Sequence, residues 1–412
     1  MAIYLGNTKV SGAGVQVDSA LSDTSTRPVQ NQVITEALED VGYPAWQKPS
    51  DWVDIRSGAL PDSVYYLVGH SSDYSTYPTF DVYATVSNSG TYDVYIDGIK
   101  KYSSVASDTT TTLTWQTLAL DTGYDVTYPS ALHTHIVRIV PTVSTNTFQR
   151  LGPNGASPNI NHSGLLWLHT TLSYAIQGYR FAHNSNVLEA FTTSESSVKV
   201  SVGSAICVEA TALKELPVIE ASSGSTPAFS SSFLNCASLK KVILNNIATN
   251  GSGSCFKGCS NLKKIVCNNT KFGFGNSTFE GCAKLETLPP LKANPISSAT
   301  DLFKGCISLN VPLLDLSGAT GLTKLTWGGS SSSRLDGMKG LIVSNEAPFT
   351  GTSPQLSVAY SGLDRYALVN LFNSLPTVTD SQVCNVTGCT GAADLTAEDI
   401  ALVNGKGWTL TR

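Results

Sequence analysis

A repeated segment between residues 233 and 314 constrains the fold of this chain more than any other feature. Four segments share the pattern Phe-x-x-Cys-x-x-Leu, and successive phenylalanines are separated by 23, 23 and 24 residues. The segments begin at Phe233, Phe256, Phe279 and Phe303. A fixed period of this length is typical of a solenoid, in which each unit buries its apolar face against its neighbours. The repeat therefore predicts a stack of coils.

Each unit also predicts its own local structure. The spacing Leu239-x-x-Val242-x-Leu244 follows the pattern of a leucine-rich repeat. Residues two apart share one face of a strand, so Val242 and Leu244 are expected inside, with Lys241 and Ile243 outside. Apolar residues at steps of three in the preceding arm favour a turn of 3₁₀ or α-helix.

The cysteines of the repeat allow two interpretations, as ligands of a metal ion or as small buried side chains of the core. They occupy a single register at Cys236, Cys259, Cys282 and Cys306. Zinc sites use cysteine pairs separated by a few residues, whereas these cysteines are a whole repeat apart. Cys255 precedes Cys259 by four positions, which alone is a weak metal signal. We therefore predict a row of small buried thiols, no metal and no cofactor.

This pattern resembles the BspA-like leucine-rich repeats of bacterial surface proteins and of phage tail proteins. A degenerate preceding unit is visible at Cys207–Leu216, and degenerate following units at Leu322–Leu325 and Leu341–Val343. The resemblance implies a leucine-rich-repeat solenoid over residues 151–345, closed by a C-terminal cap over residues 346–412.

Composition narrows the class of protein. Charged residues make up 14% of the 412 residues, and the net charge is -5. General nucleic-acid binding requires a strong basic field, so no nucleic-acid partner is predicted. There is no run of about 18 apolar residues, so no membrane insertion is predicted. The first residues lack the pattern of a signal peptide. Together with nine cysteines and a hydroxyl-rich composition, this favours a virion component made in the bacterial cytoplasm.

The segment 1–48 contains one predicted helix. Thr26 is a candidate cap with Pro28 in the first turn, and Gly42 ends the pattern. The apolar stripe of this helix consists of Val33, Ile34, Ala37, Leu38 and Val41. A helix of this length is too short to be stable alone in water, so it requires a partner either in the same chain or in a sister chain.

A second resemblance concerns the first 40 residues. Ile3–Val10, Asp18–Ser25 and Pro28–Asn31 are similar to a linker near the N-termini of phage tail-fibre and structural proteins. The resemblance implies that residues 1–48 attach the chain to other virion proteins, in the tail or the head. It also implies a homotrimer.

Residues 49–150 are predicted to be all-β. Strand-length segments rich in β-branched and aromatic residues follow one another, and Asp97-Gly98 is typical of a hairpin turn. The pattern suggests a β-sandwich and is similar to a small PKD-like sandwich found before such repeats, although Asp93–Gly98 departs from the usual turn of that family.

Residues 346–412 are predicted to combine helices with a last strand. Ser361-x-x-Asp364 suggests a capping box before a helix stopped by Pro376, and Thr396-x-x-Asp399 suggests a second one. The predicted fold is therefore multidomain and mainly β: an N-terminal oligomerisation helix, a β-sandwich and a leucine-rich-repeat solenoid of α/β type with an α/β cap.

The sequence offers few candidates for chemistry. No carboxylate pair suited to glycoside hydrolysis stands out, and no Gly-x-Ser-x-Gly occurs. His133 and His135 share a strand face and could meet a divalent metal on a trimer axis, or they are two ordinary histidines of the strand. We predict no enzyme activity.

Lysines cluster within two units of the repeat. They are Lys240, Lys241, Lys257, Lys263, Lys264 and Lys271, with no acidic residue between the first and the last. Stacked coils would align them as a basic stripe, either a solvated face or a contact surface for acidic glycans. The candidate receptor-binding residues are Lys240, Lys241, Ile243, Lys263, Lys264 and Val266.

These observations predict a phage virion fibre protein, a tail fibre or similar, that binds a glycan or protein on the bacterial host surface. One alternative is a glycan-cleaving tailspike enzyme. Another is a bacterial surface adhesin of the same repeat family.

Overall fold

The computed structural model describes residues 3–5, 8–10, 46–70, 79–114, 133–151, 164–179, 187–201, 206–222, 229–247, 253–268, 272–291 and 297–412. The chain divides into two compact units, Met1–Ala45 and Trp46–Arg412. In the first unit, β1 (Ile3–Leu5) pairs antiparallel with β2 (Thr8–Val10). The predicted helix with its apolar stripe at Val33–Val41 lies outside the described residues.

The second unit begins with two sheets whose strands are mostly antiparallel. The strands are β3 (Val64–His70), β4 (Thr79–Val86), β5 (Thr91–Ile96), β6 (Ile99–Ala106), β7 (Thr110–Thr114), β8 (His133–Pro141), β9 (Phe148–Leu151), β10 (Leu165–Thr170), β11 (Gly178–Tyr179) and β12 (Ala190–Thr193). One sheet has the order β12-β10-β3-β8-β5-β6, and the other β11-β9-β4-β7. Both sheets contribute to one buried cluster.

Local sequence explains these strands. In β5, Tyr92, Val94 and Ile96 alternate and are buried, as expected for a strand with one face in a core. The predicted hairpin at Asp97-Gly98 is confirmed, because Ile96 pairs with Ile99 across it. Asp97 and Gly98 have φ values of 49° and 84°, which suit a two-residue hairpin loop.

Strand β10 connects the antiparallel part to the coils. It pairs antiparallel with β3 and parallel with β12, and all six of its residues are buried. Ala190 of β12 then bridges to Glu215 in the next coil. Strand β10, which lies within the predicted solenoid range 151–345, is thus also a strand of the antiparallel sheet. The division of the chain at residues 48, 150 and 345 stays a prediction.

The rest of the unit is a stack of coils with parallel strands, which confirms the predicted repeat solenoid. The strands are β13 (Val198–Val200), β14 (Ile219–Ala221), β15 (Lys241–Asn245), β16 (Lys264–Asn268), β17 (Ser298–Ala299), β18 (Leu314–Leu316), β19 (Lys324–Thr326), β20 (Leu341–Val343), β21 (Leu356–Ser357), β22 (Gln382–Asn385) and β23 (Trp408–Thr411). They form sheets ordered β13-β14-β15-β16, β17-β19-β21-β22-β23 and β18-β20. The predicted degenerate units at Leu322–Leu325 and Leu341–Val343 contribute β19 and β20.

A stack of aromatic rings fills the interior of the coils. The centroids of Phe233 and Phe256 are 5.4 Å apart, those of Phe256 and Phe279 6.0 Å, and those of Phe279 and Phe303 5.9 Å. The interplanar angles are 8°, 6° and 13°, so the rings are stacked. Trp327 ends the stack with an edge contact to Phe303. The phenylalanines at one position of the repeat thus form a continuous apolar column.

The turn after each phenylalanine requires a left-handed backbone. Gly258, Gly281 and Gly305 have φ values of 77°, 79° and 81°. In the preceding unit Asn235 takes the same conformation, at φ 60°. Glycine has no steric cost there, and asparagine tolerates the conformation better than most residues. The Phe-x-Gly-Cys consensus therefore reflects backbone geometry as well as packing.

Two helices lie among the last coils. They are α1 (Arg365–Ser374) and α2 (Ala397–Gly405). The capping box of Thr396 and Asp399 is confirmed by both of its hydrogen bonds. The predicted cap at Ser361 is wrong. Asp364 caps α1 and accepts from the Ala367 amide at 2.8 Å, because Ser361 is fully buried in the preceding coil.

Among the described residues, the larger of two hydrophobic clusters runs from Val64 in β3 to Trp408 in β23. A smaller cluster, including Trp52, Tyr65 and Trp167, lies between segment 46–62 and the outer face of the six-stranded sheet. No helix in the described part of the chain is long and apolar enough to span a bilayer.

Candidate functional site

The cysteines of the repeat bind the main chain of the preceding coil. The thiols of Cys259, Cys282 and Cys306 donate to the carbonyls of Phe233, Phe256 and Phe279 at 2.9, 3.1 and 2.9 Å. The Cys236 thiol donates in the same way to Cys207, at 2.8 Å. Cys207 thus occupies the phenylalanine position of the degenerate unit. Each thiol fills a small space and adds a second hydrogen bond to a carbonyl that already accepts from the amide three residues later.

Cys255 belongs to a second row. It lies one position before Phe256, where the neighbouring units have Ser232 and Thr278, all three of them buried. All nine cysteines are free. Burial raises the pKa of Cys259 and Cys306 to about 12, so these thiols stay protonated and unreactive at neutral pH. In the described part of the chain, no group of three or more histidine, cysteine or acidic residues is placed to hold a metal ion.

Replacing Cys259 by alanine tests the structural role of the thiol row. We expect a loss of about 1–2 kcal/mol in the free energy of unfolding, because the change leaves a small cavity and removes the thiol hydrogen bond to the Phe233 carbonyl. Urea unfolding followed by circular dichroism measures the loss. Stoichiometric zinc in the purified protein, with unfolding when it is removed, would contradict this role.

The parallel sheet β13–β16 presents an outward face with rows of different chemistry. The register places Lys241 beside Lys264, Ile243 beside Val266, and Asn245 beside Asn268. All six side chains are half-buried or exposed. The inward positions Val242, Leu244 and Ile265 are buried, which confirms the predicted inside and outside of these strands. This face therefore combines a basic row, an apolar row and a carboxamide row.

Lys240 and Lys263, each one residue before the basic row of Lys241 and Lys264, form a column with an acidic neighbour that the sequence pattern did not reveal. The Lys263 amide donates to the carbonyl of Lys240 at 2.9 Å, and the Glu286 amide donates to that of Lys263 at 3.3 Å. Glu286 therefore follows the two lysines in the same position of the next coil. On the other side, burial raises the pKa of Glu215, and the nearby charge of Lys241 opposes that shift. Carboxylates thus bound the lysine cluster at both ends.

The predicted stripe of six lysines is wrong at Lys257. Lys257 lies in the Phe-x-Gly-Cys turn, where its ammonium pairs with Glu280 at 2.8 Å. Lys304 pairs with the same carboxylate at 3.4 Å. Burial opposes ionisation of Glu280, but the bond from Lys257 and the two lysine charges outweigh it and lower its pKa. Lys257 thus belongs to an alternating ion ladder across three coils. Lys271 lies outside the described residues.

The two candidate histidines belong to β8, which begins at His133. His135 is buried, and its Nδ1 lies 2.7 Å from Oδ2 of Asp97. The Ile136 amide donates to the other oxygen of that carboxylate at 2.9 Å. The contact ties β8 to the β5–β6 hairpin, which gives His135 a structural role.

The carboxamide row was missed by the sequence analysis. The side chain of Asn268 donates to that of Asn245 at 2.9 Å, and Asn246 donates to Glu220 at 3.1 Å. Ser197 also donates to Glu220, so these bonds link four strands along one edge of the face. Asn245 and Asn268 are separated by 23 residues, as are the first phenylalanines of the repeat. Alignment of the units would have found them.

Comparison with known proteins bears on the repeat. Residues 175–310 match a family described as BspA type leucine rich repeat region, in six copies. No curated protein and no solved structure matches the chain. The parallel strands continue beyond the matched residues to β23. The repeat part of this chain is therefore similar to the BspA type leucine-rich repeats, which is consistent with a surface adhesin.

Proposed function

We propose that this chain is an adhesion protein that binds a cell-surface glycan or protein through the outward face of β13–β16. The observation that supports this most directly is the pairing of Lys241 with Lys264 beside the apolar pair of Ile243 and Val266. A face with charge, apolar surface and carboxamides offers both affinity and hydrogen-bonding specificity. The match to BspA type repeats supports the same class of function.

The finer part of the proposal is that the chain serves as a phage virion fibre that binds the bacterial host. It rests on the resemblance of the first 40 residues to a linker of phage tail-fibre and structural proteins. In this proposal residues 49–150 act as a sandwich spacer and the solenoid meets the host. Antibody labelling of virions and of bacterial envelopes would separate a fibre from a bacterial adhesin. Release of reducing sugar ends from a bound glycan would favour a tailspike enzyme.

The binding face is tested by charge reversal in the full chain. Cutting between residues 150 and 165 would remove β10 from the sheet it shares with β3, so point variants are preferable to fragments. We expect K241E/K264E to weaken binding to host cells about tenfold at low salt, and less at high salt, because the row would then repel acidic groups. Flow cytometry of labelled protein on a panel of bacterial cells measures this.

The matched control is K284E/K339E. Both control lysines are exposed and lie outside β13–β16, so the variant carries the same change in net charge elsewhere. Equal loss of binding in both variants would show a general charge effect, and full binding by K241E/K264E would reject this face as the contact surface.

The proposal includes a homotrimer held through residues 1–48. We expect light scattering to report a trimer for the full chain and a monomer for a chain that starts at Trp46. That start keeps Trp46, whose indole Nε1 donates to Glu189 at 3.3 Å within the second unit. If both samples contained the same number of chains per particle, the predicted role of the Val33–Val41 stripe would be rejected.

A further inference from the structure

A continuous row of residues crosses the six-stranded antiparallel sheet on the face opposite the main core. The register of the six strands aligns Thr192, His169, Tyr65, Arg138, Tyr95 and Lys100. Segment 46–62 covers the first part of this row, where Tyr65 packs with Trp52 and Ile55. Arg138 and Tyr95 are half-buried, and Lys100 is exposed.

Arg138 and Tyr95 form a stacked pair in this row. The guanidinium carbon of Arg138 lies 3.9 Å from the centroid of the Tyr95 ring, and the Lys100 ammonium lies 5.5 Å from the same centroid. Stacking occupies one flat side of a guanidinium and leaves the N–H donors at its edge for an acceptor in the same plane. The tyrosine thus holds Arg138 in a fixed orientation at the surface of the sheet.

Of the two cations beside Tyr95, Lys100 has a carboxylate partner and Arg138 has none among the described residues. Lys100 pairs with Asp93 at 2.6 Å. The other oxygen of Asp93 accepts from the Ser104 amide at 3.0 Å and from the Thr142 hydroxyl at 3.4 Å, so this carboxylate is fully engaged. Within the described ranges no carboxylate pairs with Arg138. The patch therefore carries one positive charge that a ligand can neutralise.

We propose that Arg138, Tyr95 and Lys100 form a binding site for the oxyanion of an acidic polysaccharide, a carboxylate or phosphate carried by a sugar. The edge of a guanidinium matches such an oxyanion with two parallel, charge-assisted hydrogen bonds. On the same face of β5, about 13 Å along the strand from Tyr95, the hydroxyls of Thr91 and Thr142 lie 3.0 Å apart and suit the hydroxyl groups of a further sugar of the polymer. A shallow site on a sheet binds one sugar weakly, so a repeating polymer is the ligand that gains from several copies of the protein.

This site is separate from the face proposed above. It lies on the antiparallel sheet, whereas Lys241 and Lys264 lie on the parallel sheet β13–β16. The two proposals can therefore fail independently.

The test is binding of the full chain to immobilised polygalacturonate, to a phosphorylated glycan polymer and to neutral dextran, measured by surface plasmon resonance. We expect R138Q to weaken binding to at least one acidic polymer about tenfold. R138K is expected to recover only part of the affinity, since lysine keeps the charge but lacks the planar fork. The matched control is R334Q, because Arg334 pairs with Asp336 in the solenoid.

The outcomes are distinct. Loss confined to polygalacturonate identifies a carboxylate ligand, and loss confined to the phosphorylated polymer identifies a phosphate ligand. Unchanged binding of R138Q to both acidic polymers would overturn the proposal, and a lowered unfolding midpoint of that variant would then assign the stack on Tyr95 to the stability of the sheet. Equal binding of wild type to dextran would also overturn the proposal. Because the proposed site lies on the other sheet, K241E/K264E is expected to bind these polymers like R334Q.

Discussion

Replacing Phe256 by alanine is expected to destabilise the second unit by about 3–5 kcal/mol, because a fully buried ring is lost from a close-packed column. Phe256 stacks on Phe233 at 5.4 Å and on Phe279 at 6.0 Å, and it also contacts Phe272 at 5.6 Å. Neighbouring coils are fixed by the flanking rings and by main-chain bonds on both sides, so they cannot collapse into the cavity. Urea unfolding followed by circular dichroism measures the effect.

Two controls separate the stack from general sensitivity to substitution. Phe256→Leu retains most of the apolar volume, so a loss below about 1.5 kcal/mol is expected. Tyr366→Ala removes an aromatic ring that is 76% exposed, and the expected change is within about 0.5 kcal/mol. If Phe256→Ala cost no more than Phe256→Leu, the aromatic column would not be a main source of solenoid stability.

His169 is expected to make the protein less stable in acid. The imidazole is 1% exposed, and its two nitrogens lie 2.9 Å from the Thr192 hydroxyl and 3.0 Å from that of Ser194. Burial lowers the pKa of His169 to about 4, and the positive charge of Arg56 acts in the same direction. The folded protein therefore holds this side chain neutral at pH values where the unfolded chain protonates it.

The sign and size of the effect follow from this difference. The neutral His169 side chain contributes its full stabilisation above the unfolded pKa of 6.5, and this contribution is lost as pH falls from 6.5 towards 4. A shift from 6.5 to about 4 corresponds to about 3 kcal/mol. We expect the unfolding free energy of the wild type to fall by that much more than that of His169→Asn between pH 7 and pH 4.

Comparing the wild type with His169→Asn removes the contributions of the other titratable groups. Asp54, whose pKa the bond from Arg56 lowers to about 2, is present in both. Parallel pH curves for the wild type and His169→Asn would contradict a buried neutral imidazole. Arg56→Thr should reduce the downward shift in the pKa of His169 without abolishing it, because burial is the larger cause of that shift.

Local patterns were sufficient to predict a large part of this fold. A period of 23 residues predicts stacked coils, and alternation within Lys241–Asn245 predicts which side chains are buried. The hairpin at Asp97-Gly98 and the cap at Thr396 also follow from short segments. These features depend on residues within one turn or one strand, where steric preference and hydrogen bonding are decided by near neighbours.

The sequence by itself thus determined the repeat, its period and the inward face of each coil. Only the tertiary structure decided which side chains of different coils meet. Glu286 follows Lys263 in the stack although it is distant in sequence, and Glu280 bridges Lys257 and Lys304 for the same reason. Strand β10 joins β3 across more than ninety residues, and Arg138 meets Tyr95 only through strand register. Such contacts arise from the register between strands, which is set by packing of the whole core and is not encoded in any short segment.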